Sequence, residues 1–296
     1  MTLKEKTTFS SIALALVALS WGTSYAIVKD ALKEIYPFQL MTLRFGFSTI
    51  LLILIFFRRL KSIKKKDLIN GGIIGVFLFF SFLALVTGLS YTTASKQAFI
   101  IGAYVLIVPF MSWFINKRKL DIYSILGAVL ATFGIGLLTL GDSFGINKGD
   151  LISILASFSF GFHMISIEHF GKDTDPIVST IIQFGVASIL FIILTAIFEN
   201  FNYSLQPRTI TSMSYLVIVT TVIAFTVQNI AQKYISSTST ALILTLETAF
   251  GGLFGVIFLS ETMTMKMLAG CIIIFIGIIT EETKWKFICK NIKKKQ

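Results

Sequence analysis

The segment YISSTSTALILTLETAFGGLFGVIFLSETMTMKMLAGCIIIFIG, residues 234–277, decides the fold, because a version of it stands 143 positions earlier as YTTASKQAFIIGAYVLIVPFMSWFINKRKLDIYSILGAVLATFG, residues 91–134. Superposing the two sets Tyr91 on Tyr234, Ala98 on Ala241, Gly127 on Gly270 and Gly134 on Gly277, with two long apolar runs in matching places. A second alignment, offset by 139, sets Pro37 on Pro176, Arg44 on Gln183 and Phe45-Gly46 on Phe184-Gly185. The chain reads as a duplication, and a hydrophobic duplication of this length points to a two-halved membrane transporter.

Composition agrees. Of 296 residues, 55% are hydrophobic and only 14% charged, and the mean hydropathy of +0.83 belongs to the bilayer rather than to water. The net charge of +11 lies in short clusters between apolar runs, which is how loops on one side of a membrane look, so nucleic acid is not an expected partner. Cys271 falls in an apolar run and Cys289 in a lysine-rich tail, so no disulfide framework is indicated. Lys4 and Lys6 ahead of an apolar stretch have the outline of a leader peptide, but removing it would leave the first half one helix short, so the segment is expected to stay.

Ten apolar runs are long enough to cross about 30 Å of hydrocarbon. They centre on residues 10–29, 38–57, 68–88, 95–115, 121–140, 149–168, 177–198, 212–232, 238–259 and 265–283. Helices satisfy their own backbone groups over such lengths, whereas barrel strands would alternate and be half as long. The expected fold is therefore an all-α polytopic membrane protein of ten transmembrane helices in two inverted five-helix repeats. Residues 1–144 hold the first repeat, 145–284 the second, and 285–296 form a basic cytoplasmic tail. With both termini in the cytoplasm, the segments on that side collect nineteen of the 26 Lys and Arg, including Arg58, Arg59, Lys61, Lys64, Lys65 and Lys66. Five helices per half is an odd number, so the second half enters from the opposite side. The loop near Asn202 is then external, and the tail with Trp285, Phe287, Ile288 and Ile292 reads as an interfacial segment held by anionic lipid.

An ionisable group at mid-helix costs about 2.5–3.5 kcal/mol on insertion scales, which makes each such residue a functional candidate. Glu247 lies about nine residues into its helix, roughly 13 Å deep, and its repeat mate Tyr104 lies at the same level from the other side. Glu247 either lines the transport path or is pegged to a neighbouring carbonyl. Arg44, about two turns down its helix, and Lys96, in a first turn, could form an electropositive vestibule for a carboxylate or phosphate. Pairing with a helix-end carbonyl for Arg44, and snorkelling for Lys96, are the structural alternatives. His163 shares a helix face with Ser159 and Ser166, and it lines a cavity or packs; with Glu247 it is a proton-coupling candidate. Thr221, Phe225, Gln228 and Gln232 form one stripe expected to face the bundle interior, with Gln183 beside it. His169, Asp173 and Asp175 read as a solvated turn, and no metal or other cofactor is expected.

Several pieces then resemble one family in order and spacing. They are Trp21-Gly22-Thr23-Ser24 followed by Pro37 and Arg44-Phe45; Ala94-Ser95-Lys96-Gln97-Ala98-Phe99 running to Pro109; Leu246-Glu247 with the later Glu261; and Gly270 with Gly277. Nearly the whole chain resembles the EamA-type transporters of the drug/metabolite transporter superfamily. One departure is Thr248, where that family commonly has proline after the glutamate; Gly251-Gly252 one turn later could supply looseness instead. The resemblance implies a secondary transporter that moves a small metabolite, an amino acid or related organic anion, by alternating access, as export or proton-linked exchange. It implies a bacterial cytoplasmic membrane, a monomer or homodimer, and Trp21 and Ser24 in the substrate path with Arg44, Lys96, Tyr104, His163, Gln183, Gln228 and Glu247. A nucleotide-sugar or sugar-phosphate exchanger shares the plan. A membrane-embedded enzyme or a small-molecule sensor is the alternative of another class, but no GxxxxGK[ST] loop or HExxH helix is present, and no enzymatic activity is expected.

Overall fold

The structure is a computed structural model that describes residues 2–117, 121–139, 147–199, 201, 206–259 and 265–284. The described residues form α1 (Leu3–Ala31), α2 (Pro37–Leu60), α3 (Lys65–Tyr91), α4 (Ala94–Gly102), α5 (Tyr104–Asn116), α6 (Ile122–Thr139), α7 (Lys148–Phe170), α8 (Pro176–Phe198), α9 (Pro207–Val217), a π-helical stretch (Ile218–Ile223), α10 (Ala224–Ala231), α11 (Ser237–Leu244), α12 (Leu246–Leu259) and α13 (Met265–Thr283). Joined across their bends, these elements make ten helical spans. The loop near Asn202, Glu261 and the tail from Trp285 lie outside the described residues.

Local chemistry sets where the spans begin. α1 starts earlier than its apolar run, because Thr2 and Glu5 form a capping box: Glu5 N donates to Thr2 Oγ1 (3.2 Å) and Thr2 N to Glu5 Oε2 (2.8 Å). Pro37 and Pro176, matched in sequence, both open a helix, where a missing N–H costs nothing. α8 is capped in addition by Asp175, whose Oδ1 accepts from Ile177 N at 2.8 Å.

Two spans are bent at nearly matching places, one residue out of the 143-residue register. Between α4 and α5, Leu106 N donates to the Ala103 carbonyl three residues back, and between α11 and α12, Thr248 N donates to Thr245 O in the same way. Each is a single tightened turn of 3₁₀ type inside an otherwise α-helical span. Neither bend is centred on a proline; the second sits at Thr245, whose hydroxyl donates to Leu242 O at 2.6 Å.

The core lies where α2 and α3 pack against α7 and α8, and α1 packs against α10 and α12. Away from it, α6 packs along α13. A Cβ on Gly127 would stand 2.8 Å from the Gly277 carbonyl oxygen, and one on Gly134 2.6 Å from that of Gly270, so the contact requires glycine. Helices in lipid associate through this kind of small-residue approach. The surface is the inverse of a soluble protein's. Leu54, Phe114, Phe133 and Leu155 are exposed, while Arg44, His163, Gln183, Thr220 and Glu247 are buried. Six of the described helices are long and apolar enough to cross a membrane, with shorter apolar helices at Ile100–Asn116, Ile122–Leu137 and Leu268–Glu281.

The two ends of the bundle differ. One, the basic face, carries Arg59 paired with Asp175 (2.5 Å) and Lys66 paired with Asp173 (2.8 Å). At this face Lys6 also lies over the Tyr234 ring at 5.2 Å, and Glu168 accepts from Ser237 N (2.8 Å) and from the Ser237 hydroxyl. At the opposite face Lys148 lies over the Tyr91 ring, again at 5.2 Å. There Lys29 Nζ donates to the carbonyls of Leu89 (2.5 Å) and Thr92 (2.9 Å).

Candidate functional site

A cavity lies between α1, α2, α3, α4, α7, α10 and α12. Trp21, Ser24, Tyr25, Arg44, Phe82 and Glu247 are among its lining residues, with Phe160 and Phe225. It reaches Val28 and Leu89, so it ends beneath the Lys29 closure of the opposite face.

The π-helical stretch builds the cationic side. The Thr220 carbonyl accepts from Trp21 Nε1 at 2.9 Å and from Arg44 Nη2 at 3.4 Å. The Thr220 and Thr221 hydroxyls both donate to the Leu216 carbonyl (2.9 and 2.7 Å). Their protons are thereby committed and their lone pairs are left for Arg44, whose Nη2 donates to Thr220 Oγ1 (2.9 Å) and Nε to Thr221 Oγ1 (2.6 Å). The guanidinium also lies over the Phe82 ring at 4.9 Å. Arg44 is only 2% exposed. It therefore does not stand in an open vestibule, as its place near the helix start suggested, but is fixed as a buried charge on the cavity wall.

On the facing side, the Tyr25 hydroxyl donates to Glu247 Oε1 at 3.4 Å. Trp21 and Tyr25 are four residues apart and share one face of α1. Glu247 is held close to that face because α1 meets α12 at Gly22, where a Cβ would stand 2.9 Å from the Glu247 carbonyl oxygen. The Tyr104 hydroxyl, also buried, is within electrostatic reach of Glu247. Arg44 and Glu247 form no direct ion pair among the described residues; Tyr25 interacts electrostatically with both.

The structure thus brings Trp21, Ser24, Arg44 and Glu247 to one cavity, with Tyr104 behind Glu247 and against Phe160 at 5.5 Å between rings. His163, Gln183 and Gln228 do not line it. Instead His163 Nε2 and Gln183 Oε1 are hydrogen-bonded at 2.9 Å, and Gln183 Nε2 donates to Asn229 Oδ1 at 3.2 Å. Gln228 Nε2 donates to Gln232 Oε1 at 3.3 Å, and Gln232 Nε2 donates to the Met164 carbonyl at 3.0 Å. The stripe Thr221, Phe225, Gln228 and Gln232 is buried along its length. The side chain of Lys96 lies outside the described residues. Asp173 and Asp175 are taken by Lys66 and Arg59, and His169 Nδ1 bonds with Asn116 Oδ1 at 2.9 Å. Sequence reasoning missed Tyr25, Thr220 and Phe82. Only Tyr25 left a signal, its i+4 spacing from Trp21.

An apolar-surfaced bundle of ten helical spans with buried charges around an internal cavity defines a multi-pass membrane protein of transporter type. The comparisons specify the family. The EamA-like transporter family profile matches residues 8–140 and again residues 147–280. The chain belongs to the EamA-like transporter family. An uncharacterized transporter of Archaeoglobus fulgidus is 32% identical over 276 residues, 93% of this chain and 86% of that one. A probable amino-acid metabolite efflux pump of Salmonella typhimurium is 23% identical over 283 residues, 89% of this chain and 91% of the pump. A solved crystal structure superimposes with a TM-score of 0.79 over 96% of this chain and 99% of its own at 16% identity, a likeness of fold.

Proposed function

We propose that the protein is a secondary transporter that moves an amino acid or a related small zwitterion across a bacterial cytoplasmic membrane by alternating access. One observation carries the reading: Arg44 and Glu247, both buried, line a single cavity with Tyr25 between them. A cation and a carboxyl on opposite walls suit a ligand with a carboxylate and an amine. A sugar phosphate or nucleotide sugar carries only negative charge at the group to be bound, and one arginine facing a glutamate suits it poorly. The efflux-pump relative adds support for an amino-acid metabolite and for export.

Two inverted repeats, residues 1–144 and 145–284, are part of this proposal. Support comes from the bends at Ala103 and Thr245, from the paired tyrosines Tyr91 and Tyr234 under Lys148 and Lys6 at opposite ends, and from the reciprocal glycine contacts 127 with 277 and 134 with 270. Contacts that exchange partners in this way are what a two-fold axis in the membrane plane produces. The basic face is assigned to the cytoplasm, with both termini, on the positive-inside rule.

Glu247 is assigned the coupling role, with substrate amine and proton competing for one carboxylate. The test uses proteoliposomes loaded with the twenty L-amino acids. An imposed pH gradient should drive uphill amino-acid movement in the original protein, while Glu247→Gln retains at most downhill exchange. A pH gradient without effect on the original protein, or with equal effect on the variant, removes Glu247 from coupling; no amino-acid exchange at all removes the substrate class.

A further inference from the structure

A second pocket opens at the basic face between the ends of α7, α8 and α10 and the turn before α11. Glu168, Lys172, Ser179, Asn229, Gln232 and Lys233 are the polar residues that give it its character. Lys172 and Lys233 are exposed and form no ion pair among the described residues. Ser179 is 1% exposed, and its hydroxyl has no hydrogen-bond partner among the described residues. A polar wall with two exposed cations at its mouth and an unsatisfied buried hydroxyl inside is suited to an anionic oxygen.

The pocket is also connected to the central cavity. Asn229 on its wall is bonded to Gln183, and Gln183 to His163. The His163 ring lies 5.7 Å from Phe160 and 5.9 Å from Phe225, and both phenylalanines line the cavity. A chain of amide and imidazole groups and two aromatic rings therefore runs from one space to the other.

We infer that this pocket is a loading site on the cytoplasmic side of the transport path, which takes the carboxylate of a small solute before the solute passes the Phe160 and Phe225 rings. The inference rests on the transporter reading and on the orientation given above. Lys172 and Lys233 draw the anion in, and the Ser179 hydroxyl donates to it. The shared chemistry, a negatively charged oxygen, could equally come from a lipid headgroup, and the test separates the sources.

The probes are two methanethiosulfonate reagents of similar size, one anionic and one cationic, applied to protein carrying Ser179→Cys in nanodiscs of uncharged lipid. Both native cysteines are first replaced by serine. The anionic reagent should label about tenfold faster, and Lys172→Gln with Lys233→Gln should bring the two rates together. A mixture of L-amino acids should slow labelling. Ser236→Cys, on the same wall, serves as the reporter if the deeper thiol labels too slowly. Equal rates for the two reagents overturn the proposal, as does protection by phosphatidylglycerol in the nanodisc with none from amino acids. Labelling reads binding and not flux, so failed amino-acid exchange in proteoliposomes would count against the transporter reading and leave this result to judge the pocket. Labelling of intact cells by a membrane-impermeant reagent would reverse the orientation alone.

Discussion

The two ends of the bundle are closed by residues at matching positions that carry opposite charge. Lys29 and Glu168 stand 139 positions apart, the offset that sets Pro37 on Pro176. Lys29 meets the last carbonyls of α3, the negative end of a helix, and Glu168 meets the first amide of α11, the positive end of another. Each charge matches the dipole it faces. Each end is thus closed by a side chain whose charge suits the helix terminus it meets. The packing differs too. At the opposite face backbone rests on backbone, since a Cβ on Gly149 would stand 2.7 Å from the Gly88 carbonyl oxygen and 2.9 Å from Thr92 N. At the basic face the position 139 before Gly149 is Ser10, and side chains surround an open pocket. The comparison makes the basic face the easier one to open.

The largest effect is expected from Gly149→Val, which forces the opposite face apart against backbone that cannot yield. Overpacking of this kind costs about 1–3 kcal/mol or more, and the yield of monodisperse protein after heating in detergent should fall sharply. Ser10→Val, its counterpart, should cost much less; equal losses would erase the difference between the faces.

Next come the two charges. Hydrogen bonds to charged groups are worth about 1.5–3 kcal/mol, so losing one closure should shift access by about tenfold or more. Lys29→Met should raise the labelling of a thiol introduced by Ser24→Cys from the opposite face, and Glu168→Ala should raise it from the basic face. The double variant should return toward the original ratio. Shifts in the same direction for both single variants would show that the two residues hold the fold and not alternate states.

Tyr91→Leu and Tyr234→Leu remove matching cation–π contacts, each worth about 0.5–1 kcal/mol at such exposed sites. Equal small losses in melting temperature are expected, and a several-fold disparity would break the correspondence between Tyr91 and Tyr234.

The smallest effect belongs to Lys66 and Asp173. Both are solvent-exposed. The hydrogen bond from Lys66 holds the Asp173 carboxyl below its ordinary range, and the same bond raises the Lys66 ammonium. What the pair contributes is lost as pH falls through the lowered carboxylate value or rises through the raised ammonium value, and is present between. Screening keeps it small. Asp173→Asn should leave the melting profile between pH 5 and pH 9 unchanged at about 0.15 M salt.

Much of the fold was legible because membrane spans need long apolar runs and because the duplication repeats its glycines. Gly127, Gly134, Gly270 and Gly277, matched in sequence, are the residues that meet in space. Arg44 and Glu247 stood out because charge within an apolar run is costly, and the structure brings both to one cavity. His163 and Gln183 stood out as polar groups on polar helix faces but lie behind the Phe160 and Phe225 rings. Helical periodicity gives a residue's face and depth, not whether another ring stands between it and a cavity. The π-helical stretch left no mark, since its hydroxyls and β-branched residues suit a regular helix in lipid as well. The bend at Thr245 was equally hidden: without the family's proline at Thr248, nothing local marks it.

The stretch from Ile218 to Ile223 has a further consequence for the span that contains it. A π-helical turn is in effect one residue inserted into an α-helix. Deleting one residue there would restore regular winding and leave everything after it facing as before, because the wider turn already absorbs the surplus residue. Phe225 and Asn229 would keep their places, while the Thr220 carbonyl, which Ala224 N passes over in favour of Val219 and Thr221, would be drawn back into the helix and lost to Trp21 and Arg44. A single surplus residue therefore frees one carbonyl for the cavity wall without changing the phase of the span, and homologous chains can be sorted by whether they carry it.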